Sequence, residues 1–279
     1  MNLGEFGVFA RSHVVGDEAA AGAQFAEELG FGAFWLGGSP EIAALRPLLG
    51  ATQRIVCATG IVNVWQSEPE RVARDFAELS AEFRGRVLLG LGIGHPEATI
   101  SYGTPLAMME GFLAALDAAD PPVPREARCV AALRPKMLEL SARRSLGAHP
   151  YLVPVEHTRV ARSRLGPHPL LAPEVTCVVD EAIESARAKA RGFAKEYLAL
   201  RNYRRNLIDL GFDQHEMAAG GSDRLIDAVV PHGSARQIAA AARAHLAAGA
   251  NHVCLQPVGV DGIPRAELRA LAAALGLAG

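Results

Sequence analysis

A (β/α)8 TIM barrel is the fold this 279-residue sequence predicts, on three observations. Eight apolar runs of strand length recur along the chain, and nearly all are followed by a helical stripe. Such alternation implies parallel strands, because each crossover needs a helix to return the chain. A helix–glycine–strand junction recurs at Leu29-Gly30-Phe31 and Ala248-Gly249-Ala250. The length also suits one large α/β barrel. An open doubly wound sheet is the alternative arrangement of the same elements. No low-complexity tract or linker divides the chain, so residues 1–279 read as a single domain.

Phe6-Gly7-Val8-Phe9-Ala10 is the first strand, and Ala19 to Leu29 is a helix closed by Gly30. Ala33-Phe34-Trp35-Leu36-Gly37 is the second strand, and a short helix spans Pro40 to about Leu49. Ile55 to Val62 is the third strand. Pro69 then opens a helix whose apolar stripe is Val72, Phe76, Leu79 and Phe83. The fourth strand starts in the apolar run Val87 to Leu91 and ends as a glycine ladder, Gly90, Gly92 and Gly94. A helix from Pro105 to Ala118 and a stiff connector with Pro121, Pro122 and Pro124 lead to strand five, Cys129 to Ala132. The fifth helix runs from Pro135 to about Leu146, and strand six lies near His149 to Val153. A helix from Glu156 to Leu165 precedes strand seven, Glu174 to Val179, and a long amphipathic helix carries Ile183 to Tyr197. Residues 201–230 are helical but broken by Gly211, Gly220 and Gly221, which marks an insertion between strands seven and eight. Ala235 to Leu246, strand eight at His252 to Gln256 and a terminal helix with Leu268, Leu271 and Leu275 complete the barrel.

Half of the residues are hydrophobic, enough for a sizeable core. The net charge of −2 gives no reason to expect nucleic acid or an anionic membrane as partner. No apolar run approaches the ~20 residues of a membrane span. The start, Met1-Asn2-Leu3-Gly4-Glu5, lacks a basic leader, and the cysteines at 57, 129, 177 and 254 form no CxxC pair. They read as small buried hydrophobes in a reducing cytoplasm.

In a barrel of this kind chemistry sits at the carboxyl ends of the strands. That places Arg11, His13, Asn63, Trp65, Gln66, His95, Arg134, Lys136 and His157 at or near the mouth. Glycine weakens a strand unless something must approach the backbone closely. The ladder therefore reads either as clearance for a flat ring or as a barrel corner without a ligand. Leu133-Arg134-Pro135-Lys136 opens a helix, whose free N–H groups and positive dipole end favour a phosphate. The plainer reading is two solvated cations. His95 follows the ladder, where an imidazole can move a proton beside a bound ring or simply occupy a loop. Trp65 and Tyr102 suit packing as well as substrate contact. No HxH or HExxH spacing appears, so no metal is expected.

Leu29-Gly30-Phe31-Gly32, Thr59-Gly60-Ile61-Val62-Asn63, Gly85-Arg86 before Gly90-Leu91-Gly92, and Pro135-Lys136-Met137 stand in an order and spacing that resemble the bacterial-luciferase-like superfamily of flavin and deazaflavin oxidoreductases, most closely its coenzyme F420-dependent branch. The resemblance continues through Gly147-Ala148-His149-Pro150-Tyr151-Leu152, Gly220-Gly221-Ser222-Asp223-Arg224-Leu225 and Ala248-Gly249-Ala250-Asn251-His252-Val253. It implies a barrel that is usually dimeric through helices of its amino-terminal half. It also implies a tricyclic ring on the ends of strands three and four, beside Gly37, Gly60, Ile61, Val62, Asn63, Gly92, Ile93 and Gly94, with a cis peptide at Gly60–Ile61. The tail phosphate would meet Leu133, Arg134 and Lys136, and the insertion would cover part of the mouth. The implied activity is F420-dependent hydride transfer to or from a small organic substrate, with His95 moving the proton and His13, Trp65 and Gln66 shaping the substrate pocket. An FMN-dependent monooxygenase is the alternative within the fold, and a non-catalytic flavin-binding protein the alternative outside it. The sequence departs from better-understood F420 relatives in four places: Gly37-Gly38-Ser39-Pro40 replaces a polar pair, His95 a carboxylate, Ser145-Leu146-Gly147 an Ala-Asp-Gly, and Arg134 a glycine.

Overall fold

The structure, a computed structural model, describes residues 1–94 and 104–277. Its strands are β1 (Phe6–Arg11), β2 (Ala33–Gly37), β3 (Val56–Gly60), β4 (Val62–Asn63), β5 (Val87–Gly92) and β6 (Arg128–Val130). They continue with β7 (Gly147–Ala148), β8 (Leu170–Leu171), β9 (Glu174–Val179), β10 (His232–Gly233) and β11 (Val253–Pro257). All pair in parallel, and their order is β10-β9-β11-β1-β2-β3-β5-β6-β7-β8, with β4 beside β5. β8 and β9 are one barrel strand interrupted at Pro173, which has no N–H to give. The ladder persists across the break, since Ala172 N donates to Ala148 O at 2.9 Å and Glu174 N to Pro150 O at 2.8 Å. The ring thus closes between β7 and β11, giving the expected eight-stranded barrel.

The helices that return the chain are α2 (Ala19–Glu28), α3 (Arg46–Gly50), α4 (Pro69–Glu82), α5 (Pro105–Ala118), α6 (Pro135–Arg144), α7 (Val155–Leu165), α11 (Ala235–Ala247) and α12 (Arg265–Leu275); a short α1 (Ser12–Val15) follows β1. Their apolar faces meet the outward-facing strand residues in one large core that includes Val8, Phe34, Cys57, Leu89, Val130 and Leu255. All four cysteines are free and buried, as expected of small hydrophobes. No helix among the described residues is long and apolar enough to cross a membrane.

The barrel interior is a separate cluster, and it is partly polar. Trp35 stacks on His149 at 4.1 Å and donates through Nε1 to His252 Nε2 at 3.2 Å. His252 in turn donates through Nδ1 to the Gly4 carbonyl at 2.8 Å, which fixes its tautomer. His149 bonds the Ala172 carbonyl through Nδ1 at 2.7 Å. Burial pushes both imidazoles down to about 4, so they are neutral plugs of the interior.

Three expected elements differ. The helix from Pro40 begins as a 3-10 turn, Ile42–Leu45, and becomes α3 only at Arg46, because Pro47 suits a first turn and not a helix interior. Strand six is only β7, since Pro150 and Pro154 cannot donate to a ladder and Leu152 takes a left-handed φ of 50°. The excursion between strands seven and eight starts before residue 201. The chain leaves β9 at Asp180, runs through α8 (Ile183–Leu198), α9 (Arg201–Asp209) and α10 (Asp223–Val229), and returns in β10, which pairs with Val178 and Val179. These helices and the connection between α9 and α10 share their own apolar core, including Ala190, Tyr203, Phe212, Met217 and Ile226. That core rests on Leu152, Val178 and Val258 at the ends of three barrel strands, so the excursion caps one side of the mouth.

The strand-four glycines test the barrel directly. A Cβ at Gly90 would fall on the Thr59 carbonyl oxygen, with backbone on both sides and nothing flexible to yield. Gly90→Ala is expected to destabilise the fold by about 3 kcal/mol or more, read by urea unfolding, as overpacking against backbone does.

Candidate functional site

The site is built where β3, β4 and β5 reach the mouth. The register offset between the third and fourth barrel strands is 30 residues at Cys57–Val87 and 29 at Val62–Leu91, so one extra residue bulges from the third strand. The Thr59 hydroxyl bridges the gap, accepting from Gly90 N and donating to Gly90 O, both at 2.9 Å. The bulge carries the expected cis bond at Gly60–Ile61. It presents a half-buried Ile61, whose side chain lies over Gly92 so closely that a Cβ there would sit 2.5 Å from Ile61 Cγ1. Asn63 is buried; its Oδ1 accepts from Trp65 N at 3.0 Å, and its Nδ2 stands against Gly94, which holds a φ of 54°.

The structure thus brings Ile61, Asn63, Gly92, Ile93 and Gly94 to one shelf at the mouth. Val62 shares the segment, but its side chain packs into the outer core, leaving only its backbone on the mouth side. Gly37 and Gly60 are register partners on β2 and β3. The clearance they give is taken by the Phe9 ring, which a Cβ at Gly60 would meet at 2.5 Å. Trp65 is half-buried and packs on the outer core. Gln66 is exposed and lines a neighbouring cleft of about 240 Å3 with Ser39, Arg71 and Asp75. His13 is exposed beside Gly38. His95 and Tyr102 lie outside the described residues.

The start of α6 has no side-chain cap, and Lys136 is exposed in its first turn. Arg134 is engaged with Asp209 of α9 at 2.9 Å, so it ties the cap to the barrel. Leu133 is held from below, where buried His157 bonds its carbonyl through Nε2 at 2.8 Å.

Sequence reasoning missed the opposite wall of the mouth. Tyr151 sits edge-on to Phe9 at 5.4 Å and tilted against Tyr197 of α8 at 5.3 Å. Tyr197 donates to the Tyr151 hydroxyl at 3.2 Å, and Tyr151 donates to Gln256 Oε1 at 3.0 Å. Beneath them Glu174 is fully buried, accepting from Leu152 N at 3.0 Å and from the Thr176 hydroxyl at 2.6 Å. The Leu152 bond pins the left-handed turn that stands Tyr151 at the mouth. The available signal was a carboxylate opening the otherwise uncharged strand run Val175-Thr176-Cys177-Val178.

A parallel barrel with a bulged third strand, a glycine-ended fourth strand and a helical cap over one side of its mouth defines the architecture. Residues 4–252 match the luciferase-like monooxygenase family, and the chain belongs to that family. Among curated proteins, none matches the chain in sequence. Solved structures with the same fold include an F420-dependent secondary alcohol dehydrogenase in complex with an F420–acetone adduct (TM-score 0.75, 16% identity, 98% of this chain and 99% of that one). The F420-dependent tetrahydromethanopterin reductase of Methanopyrus kandleri is similar at TM-score 0.71 and 14% identity, over 97% and 98% of the two chains. The FMN-bound oxygenating constituent of 3,6-diketocamphane monooxygenase from Pseudomonas putida has TM-score 0.68 and 16% identity, over 97% and 96%. At these identities the likeness speaks for the fold alone.

Burial raises Glu174 from the ordinary 4.5 to about 8, with its two hydrogen bonds and Arg11 pulling the other way. Between those values the folded chain keeps a proton that the unfolded chain has lost. Stability attributable to Glu174 therefore falls as pH rises through that window and levels off above it. Glu174→Gln should flatten urea-unfolding stability between about pH 5 and 8, gaining on the parent as pH rises. Parallel pH profiles in the two proteins would contradict a neutral buried carboxyl.

Proposed function

We propose that this protein is an F420-dependent oxidoreductase that passes a hydride between the deazaflavin and a small organic molecule. The observation that carries the reading is the Ile61 shelf, an apolar side chain seated on Gly92 and turned to the mouth at the end of the third and fourth barrel strands. A flat heteroaromatic ring fits such a surface better than a polar substrate does. The residues proposed to hold the ring are Ile61, Asn63, Ile93 and Gly94, with Gly37 and Gly60 acting beneath through Phe9. The uncapped start of α6, with Lys136 and the backbone after Leu133, suits the phosphate of the tail. When bound, the deazaflavin would give the hydride in its reduced form or take it in its oxidised form; the protein positions the partners and excludes water. Support comes from two relatives of the same fold that are described as F420-dependent.

The cofactor is tested by titrating purified protein separately with F420 and FMN, followed by fluorescence. Saturable F420 binding, with FMN weaker by about tenfold or more, is expected. Tight FMN binding without F420 binding reverses the cofactor, and binding of neither removes the redox reading. Gly92→Ala should push Ile61 out of place and weaken F420 binding by about tenfold while the chain stays folded by circular dichroism. For His95 the proposal comes from the sequence alone: His95→Ala should lower turnover more than cofactor affinity, and equal turnover removes it from the reaction.

A further inference from the structure

Arg11 ends β1 at the mouth and is half-buried. Its guanidinium carbon lies 5.1 Å from the centre of the Phe193 ring of α8. An aromatic ring attracts the cation but gives its N–H groups no lone-pair acceptor. Among the described residues no acceptor meets those N–H groups, and no carboxylate oxygen stands within 4.0 Å of them. Arginines of the cap and its junction differ: Arg134 is paired with Asp209 at 2.9 Å and Arg187 with Asp227 at 3.0 Å.

Two titratable groups feel the Arg11 charge directly, Glu174 of β9 and Tyr197 of α8. Next to these stand Tyr151, which shares a hydrogen bond with Tyr197, and the exposed Glu196 of α8, while the exposed His13 of α1 follows two residues along the chain. The neutral Gln256 of β11 lines the same hollow as Arg11, and Gly37 of β2 is its register partner. Glu174 is the buried carboxyl among them, and burial keeps it protonated at neutral pH, so it does not cancel the arginine. A half-withdrawn cation without a counter-ion has lost solvation that a bound anion offsets. Phe193 and Tyr197, stacked at 5.2 Å, offer an apolar wall beside it.

We propose that Arg11 anchors an oxyanion subsite at the barrel mouth, taking the carboxylate of a small aromatic or apolar acid on its open guanidinium edge, with Phe193 and Tyr197 against the body of that acid. This rests on the oxidoreductase reading and deepens it by naming carboxylic acids as the substrate class. The planar fork matches a carboxylate with two parallel hydrogen bonds. Phosphate shares that oxyanion chemistry, so the tail of a cofactor is the other source.

The test is isothermal titration of the cofactor-free full chain with benzoate, its neutral isostere benzamide, and inorganic phosphate, at about pH 7 and about pH 9. Benzoate should bind about tenfold or more tightly than benzamide at the lower pH, and Arg11→Gln should erase that preference while Arg11→Lys keeps part of it. In the parent chain benzoate should weaken severalfold at the higher pH as Glu174 ionises, and Glu174→Gln should hold the affinity constant. Equal binding of benzoate and benzamide, or unchanged benzoate binding in Arg11→Gln, overturns the subsite. Loss of phosphate and F420 binding in Arg11→Gln, with benzoate unaffected, assigns Arg11 to the cofactor tail and overturns the substrate class. F420 and FMN titrations run separately, so a chain that holds benzoate through Arg11 and binds neither cofactor refutes the redox reading and keeps the subsite. Circular dichroism melting of each variant identifies any loss caused by unfolding.

Discussion

The mouth depends on one backbone approach, that of Gly90 to Thr59. A bulge costs a ladder its regular bonds, and a buried unpaired N–H or C=O is expensive. Here a single hydroxyl serves both groups of Gly90, donating to one and accepting from the other. It reaches them because residue 90 has no side chain. Once that bridge holds the two strands together, the extra residue has to emerge further along, and Ile61 is carried toward the mouth over a second glycine. The shelf proposed for a flat ring is therefore a consequence of how two strands are stitched below it.

The interior explains why the floor does not continue downward. Phe9, Trp35, His149 and His252 fill the barrel below the mouth; His252 is satisfied at both nitrogens, by the Gly4 carbonyl and the Trp35 indole, while His149 bonds the Ala172 carbonyl through Nδ1 and its Nε2 is buried against the stacked rings with no partner among the described residues. A neutral imidazole with one donor and one acceptor suits such a place; a charged one does not. The polar plug leaves only the upper ends of the strands accessible. There the two sides of the mouth are unlike: glycines and Ile61 on one, tyrosines, Gln256 and a protonated Glu174 on the other.

The barrel was legible because it is written in periodicity. Runs such as Val87–Leu91 and Val253–Gln256 are buried on both faces, and helices recur between them. The glycine ladder was legible as a place of close approach, but what approaches Gly90 is Thr59, and what approaches Gly92 is Ile61. A sequence shows that space is needed and does not show which atoms fill it. The extent of the cap was hidden for a similar reason, since Ile183 to Tyr197 has the same amphipathic period whether it packs on a barrel wall or on other cap helices. Glu174 and Gln256 escaped notice because each stands at the edge of an apolar run, where a polar residue reads as a boundary. Their burial follows from barrel closure, which no local pattern encodes.

The cap also decides what two arginines of the mouth do. It meets Arg134 with a carboxylate, Asp209, and meets Arg11 with an aromatic face, Phe193. The first contact consumes the charge; the second leaves the charge in place and only shields one side of it. An anion arriving at the start of α6 must displace Asp209 from Arg134 or rely on Lys136 and the helix N–H groups. An anion arriving at Arg11 displaces nothing. Binding free energies at coupled places are reciprocal, so whatever loosens the Arg134–Asp209 pair favours an anion there by the same factor by which that anion loosens the cap. Arg11 carries no such cost, and that asymmetry follows from which residue type the cap presents to each arginine.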